Sequence, residues 1–166
     1  MIIYLIGYMG SGKSTIAKAL AQQLKYPVLD IDDIIASLEG KKIDRIFEEL
    51  GEPYFRALEK RILNGVQHLT RAVIATGGGL PCADENMETM KASGITVYLK
   101  ASTSFLHDRL KDTTDRPIIE KNKAHLFEFI ENQLETRSKY YELASITVDA
   151  EQTVEAIVKD IQSQLE

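Results

Sequence analysis

The sequence has no tryptophan, one cysteine, four prolines and no excess of positive charge. Each shortage excludes something. Cys82 has no second cysteine with which to close an internal disulfide, so a reducing, cytoplasmic compartment is expected. No histidine is paired with it in the sequence, which argues against a thiol nucleophile. The apolar run that opens the chain, Ile2 to Ile6, is far too short to span a bilayer, and no basic segment precedes it as in a secretory signal. Asp and Glu number 25 against 20 Lys and Arg, a formal net charge of −5. A phosphate-backbone binder carries a basic footprint, so no nucleic-acid partner is expected. Net charge nevertheless says nothing about a single cleft.

What remains is an ordinary globular composition, 44% hydrophobic and 27% charged over 166 residues. A chain of this size buries roughly 70% of its unfolded surface, enough for one core, and 1–166 is read as a single domain. Ile2 to Ile6 reads as a buried strand bounded by Gly7. Ser14 to Leu24 carries Ile16, Leu20 and Leu24 on one helical face. Val28-Leu29 leads into Asp30 as a second strand, and Asp32 or Asp33 is expected to cap a helix that Gly40 stops. Further helices are expected over 43–50, 53–69, 84–92, 102–110, 124–143 and 154–165, and strands over 72–75, 95–99 and 146–148. Five short apolar strands alternating with helices predict an α/β fold, a five-stranded parallel sheet covered on both faces. The polar stretch Lys111 to Lys123, which holds Pro117, is expected to be an irregular mobile lid.

The strongest local signal is Gly7-Tyr8-Met9-Gly10-Ser11-Gly12-Lys13-Ser14, a complete G-x-x-x-x-G-K-[ST] phosphate loop at a strand-to-helix junction. Gly10 and Gly12 let backbone N–H groups approach phosphate oxygens, and the helix N-terminus adds a positive dipole end. Lys13 reaches the β- and γ-phosphates, and Ser14 is a ligand for Mg²⁺. A regulatory GTPase is disfavoured: no Asp stands three residues before a glycine, and Asn122-Lys123-Ala124 is followed by His125 where a guanine-reading Asp belongs. The strand Val73-Ile74-Ala75 runs into Thr76-Gly77-Gly78-Gly79 and offers no carboxylate to organise a metal. Asp30 is the obvious substitute. If strand geometry continued through Ile31, Asp30 and Asp32 would point to one side, one toward the metal's water shell and the other toward a substrate hydroxyl.

Taken together, GYMGSGKST over Gly7 to Thr15, Leu29-Asp30-Ile31-Asp32, Phe55-Arg56-x-x-Glu59, Thr76 to Gly79, Arg109, Arg116-Pro117 and Arg137 followed by Tyr140-Tyr141 resemble the shikimate kinase family, in family order along essentially the whole chain. The resemblance implies a P-loop, nucleoside-monophosphate-kinase-like fold with a lid near 111–123 and acceptor-binding helices near 32–60. It implies transfer of the ATP γ-phosphoryl group to the 3-hydroxyl of shikimate, with Mg²⁺, in a monomer acting on small molecules. By the same resemblance, Gly10, Ser11, Gly12, Lys13, Ser14 and Thr15 would hold the nucleotide, with Arg109 against adenine and Asp30 in the metal's outer shell. Asp32 would bind ring hydroxyls and accept the proton, Arg56 and Arg137 would clamp the carboxylate, Gly77, Gly78 and Gly79 would line the pocket, and Arg116 would approach the phosphates. Arginine suits the clamp because its planar fork matches a carboxylate. The alternatives are a gluconate or nucleoside monophosphate kinase, or an ATP-binding module without catalysis.

Overall fold

The structure is a computed structural model and describes residues 1–83 and 85–166. Strand β1 (Ile2–Ile6) lies at the centre of the sheet and is buried along its whole length. Around it stand β2 (Val28–Asp30), β3 (Ala72–Ala75), β4 (Ile95–Lys100) and β5 (Ile146–Asp149), all parallel, in the spatial order β2-β3-β1-β4-β5. Alternation along β1 divides the core into two layers. Ile3 and Leu5 pack under α1 (Lys13–Leu24) and α9 (Val154–Leu165). Ile2, Tyr4 and Ile6 face the layer built from α2 (Ile31–Glu39), α3 (Ile43–Leu50), α4 (Glu52–Val66), α5 (Asn86–Ser93), α6 (Thr103–Leu110), α7 (Pro117–Lys121) and α8 (Leu126–Tyr141). The expected α/β architecture with both faces covered is the one observed.

This strand order fixes where a ligand can sit. From β1 the chain passes beyond β3 to form β2, and from β3 it crosses β1 to form β4. The connections after β1 and β3 therefore diverge and open a crevice at the carboxyl ends of the strands, where open α/β sheets bind ligands. The phosphate loop leaves β1 there, the Gly77–Gly79 turn leaves β3, and Asp30 ends β2.

Three expectations need correction. The cap of α2 is Asp30, not Asp32 or Asp33: its Oδ1 accepts the backbone N–H of Asp32 at 3.0 Å and of Asp33 at 3.4 Å. The helix thus starts at Ile31, and a strand-type alternation of Asp30 and Asp32 does not exist. The stretch Lys111 to Lys123 is not wholly irregular, because Pro117 opens α7 and Ile119 is fully buried beneath it. Two helices are shorter than expected: α4 stops at Val66, and a 3-10 turn, Lys123–His125, precedes α8. The expected start of α5, Asp84, lies outside the described residues.

Gly94 joins α5 to β4 with extended backbone, so conformation alone does not demand glycine. Space does: a methyl group there would lie 2.5 Å from Ile2 O and 3.0 Å from Tyr4 Cε2. Gly94→Ala is expected to destabilise the fold by about 2–3 kcal/mol, lowering the melting temperature by roughly 5–10 °C. Wild-type thermal unfolding would show that β1 and α5 can separate freely.

Candidate functional site

The phosphate loop is shaped by left-handed backbone at Gly10 (φ 83°) and Gly12 (φ 97°), which L side chains rarely adopt. Gly12 caps α1, leaving the first N–H groups of that helix without a side-chain cap and open to an anion. Lys13, the first residue of α1, is buried, and its ammonium donates to Gly7 O at 2.8 Å and Tyr8 O at 3.0 Å. Burial pulls its pKa down to about 8, against the opposing pull of Asp32 and Asp30 and with the support of Arg116 and Arg137. Ser11 is also buried, and its Oγ has no partner among the described residues. Thr15 is exposed on the first turn of α1.

Ser14 Oγ donates to Asp30 Oδ2 at 2.5 Å, which ties the phosphate loop to the end of β2. The serine's proton is spent on the carboxylate, so its oxygen lone pairs remain for a cation. No group of three or more His, Cys, Asp or Glu side chains gathers to hold a metal among the described residues. Mg²⁺ needs no such cage when one or two protein oxygens and substrate phosphates complete its shell, and Ser14 with Asp30 fits that donor set.

Across the crevice, the three glycines after β3 are contact points for four charged side chains. A methyl group on Gly77 would lie 2.7 Å from Glu59 Oε1 and 3.1 Å from Asp32 Oδ1. On Gly78 it would lie 3.4 Å from Arg137 Nη1, and on Gly79 2.7 Å from Arg56 Cζ. The turn therefore brings Asp32, Arg56 and Arg137, which are far apart in sequence, to one place. Asp32 Oδ1 and Glu59 Oε1 are buried without a hydrogen-bond partner among the described residues and approach the same point near Gly77. Burial raises the Asp32 pKa, as does Asp30, while Lys13 and Arg116 oppose the rise.

Arg56 Nη1 donates to Glu59 Oε2 at 2.6 Å, and its Nε and Nη2 donate to Glu52 Oε1 at 3.3 Å. Among the described residues these bonds use three of the five guanidinium donors, leaving one N–H on each terminal nitrogen for a ligand. Arg137 has no carboxylate partner among the described residues, and its guanidinium lies over the Tyr8 ring, 5.5 Å from the centroid. Arg109 is exposed at the end of α6, stacked on Phe105 at 4.6 Å and donating to Gly10 O at 3.2 Å. Arg116 caps α7, is exposed and forms no ion pair among the described residues, yet its charge acts on Lys13, Asp32 and Tyr8.

Three features of this site do not follow from sequence pattern. Glu59 reads in sequence equally as a solvated helix residue, but it is only 1% exposed. Tyr141 sends its hydroxyl to Gly78 O at 2.6 Å and holds the glycine turn. Tyr8, the first variable position of the phosphate loop, donates to Gln133 Oε1 on α8. The single available signal was the Arg56 to Glu59 spacing, which puts both on one face of α4.

The model of the shikimate kinase family matches residues 9–166. A shikimate kinase from Sulfurihydrogenibium sp. (strain YO3AOP1) is 42% identical over 160 residues, which are 96% of this chain and 94% of that protein. The crystal structure of shikimate kinase from Aquifex aeolicus vf5 is similar with a TM-score of 0.89 at 39% identity, over 99% of this chain and 96% of that one. Shikimate kinase from Acinetobacter baumannii, solved in complex with shikimate, gives a TM-score of 0.91 at 32% identity, over 99% of this chain and 92% of that one.

Glu59 carries a pH signature. Burial lifts its carboxyl from 4.5 to about 7, although Arg56 opposes the rise. Folding thus favours the protonated form. Its contribution to stability is full below about pH 4.5 and is lost as the pH rises through 7. Relative to Glu59→Gln, the wild type is expected to lose on the order of 2–3 kcal/mol across that window and nothing more above it. Urea unfolding of both proteins between pH 4.5 and 8 checks this; parallel stability curves would show that Glu59 ionises normally.

Proposed function

The chain belongs to the shikimate kinase family, whose members transfer the ATP γ-phosphoryl group to the 3-hydroxyl of shikimate, and from that premise we propose how its residues divide this reaction. One observation carries the division: the Gly77–Gly79 turn holds Asp32, Arg56 and Arg137 together at the crevice. Shikimate offers a carboxylate and a hydroxylated ring. The two Arg56 N–H groups that have no partner among the described residues, together with the guanidinium of Arg137, which has no carboxylate partner among them, would take the carboxylate. Asp32 Oδ1, which has no partner among the described residues, would accept the hydrogen bond of a ring hydroxyl, and the backbone of Gly77, Gly78 and Gly79 would lie against the ring.

The nucleotide would occupy the loop Gly10 to Thr15, with Ser11 and Gly12 presenting the backbone, Lys13 turning from its carbonyl partners to the phosphates, and Arg109 lying against adenine. Mg²⁺ would be held by Ser14 and, beyond it, by Asp30, and would neutralise charge that develops on the phosphate oxygens. Phosphoryl transfer passes through a loose transition state, so position and electrostatics matter more than a strong base. Asp32 accordingly orients the hydroxyl and receives its proton late. Arg116 sits exposed at the start of α7, where closure of the 111–123 segment would carry it toward the phosphates and exclude water. The chain would act as one domain and a monomer in the cytoplasm; no described helix is long and apolar enough to cross a membrane.

A coupled ADP-release assay with shikimate, gluconate and nucleoside monophosphates is expected to show turnover with shikimate alone. Its absence would overturn the proposal, and turnover with gluconate or a nucleotide would redirect it. Asp32→Asn is expected to lower kcat by about a hundredfold or more while ATP still binds, within the usual range for a positioned proton acceptor. Near-normal turnover would mean that the acceptor hydroxyl lies elsewhere.

A further inference from the structure

The Tyr8 side chain connects the phosphate loop to α8, and the proposed phosphate and carboxylate contacts leave that side chain without a role. Its side chain is 1% exposed and reaches α8 at two positions one turn apart. The hydroxyl donates to Gln133 Oε1, and the ring lies under the Arg137 guanidinium, 5.5 Å from centroid to Cζ. The main chain of the same residue belongs to the phosphate loop: Tyr8 O accepts from Lys13 Nζ at 3.0 Å and from Ser11 N at 3.2 Å. Burial holds the phenol pKa up at about 12, so the hydroxyl keeps the proton it donates.

Arg137 needs such support. It has no carboxylate partner among the described residues, only a side-chain hydrogen bond with Tyr141, and a long side chain held by so little loses rotamer entropy when a ligand fixes it. A buried ring beneath the guanidinium limits the orientations open to it before the ligand arrives. We propose that Tyr8 is a positioning residue for the acceptor site, aiming Arg137 from the phosphate loop so that the loop and the carboxylate clamp move as one unit. This rests on reading Arg137 as a ligand of the shikimate carboxylate.

Steady-state kinetics on the full chain test both. Tyr8→Leu is expected to raise the shikimate KM about tenfold and to raise it clearly more than the ATP KM; an exposed-to-buried cation–π contact accounts for a change of that size. Tyr8→Phe keeps the ring and should recover to within about threefold of wild type. In the Arg137→Ala background, Tyr8→Leu should cost nothing further. Gln133→Leu, on the half-buried surface of α8, repeats the cycle without disturbing the loop, with a rise of about threefold that also vanishes without Arg137. An equal cost with and without Arg137, a parallel rise in both KM values, or an unchanged shikimate KM while Arg137→Ala raises it would overturn the proposal. A wild-type shikimate KM in Arg137→Ala would instead overturn the reading of Arg137, and this inference with it.

Discussion

A backbone turn without Cβ atoms is the constraint on which the acceptor side of the crevice depends. Gly77, Gly78 and Gly79 let a carboxylate pair and two guanidinium groups stand within 3.4 Å of where a Cβ would lie. A side chain on Gly77 or Gly79 would occupy the place of Glu59 or Arg56. The turn is in turn fixed from both sides. Thr76 Oγ1 donates to Leu5 O at 3.0 Å and ties it to β1, while Tyr141 holds Gly78 O from α8. The parallel pairing of β1 with β3 then places the turn beside the phosphate loop, because both leave the sheet at the same edge.

Burial of polar groups is the second theme. Ser11 Oγ, Asp32 Oδ1 and Glu59 Oε1 are buried without partners among the described residues, a state that costs stability wherever it occurs. All three belong to the crevice, around the glycine turn or inside the phosphate loop. Polar atoms held dry and already aimed need little reorganisation when a hydroxyl or phosphate arrives, and such preorganisation is where enzymes gain most of their electrostatic advantage. The stability of the apo protein and the readiness of its site are therefore opposed, and the core beneath β1 supplies the surplus.

Contiguous features were legible in the sequence. The phosphate loop was, since cradling a phosphate needs neighbouring backbone N–H groups and leaves a fixed spacing. The central strands were, because parallel strands buried on both faces, such as β1 and β3, read as unbroken apolar runs. Asp30 was found as the loop's acidic partner, but its second task as the cap of α2 was assigned to its neighbours, since three aspartates among four residues offer equivalent caps. The helix within 111–123 was missed although Pro117 and Ile119 signal a first turn with a buried face. Tyr8 and Gln133 are 125 positions apart, Tyr141 and Gly78 63, and no local pattern encodes such pairs. Glu59 went undervalued for the same reason: the depth of a helix face depends on what covers it.

Lys13 is held where its own charge is costly, and its pKa near 8 leaves the ammonium close to its titration point. The loop carbonyls that accept its hydrogen bonds act as a placeholder for the anion. In the proposed nucleotide site, an incoming polyphosphate would replace those neutral acceptors with negative charge and draw the pKa back up. Above pH 8, filling that site would therefore take up a proton from solvent. The affinity for nucleotide would then depend on alkalinity through Lys13, independently of any proton released by the acceptor hydroxyl.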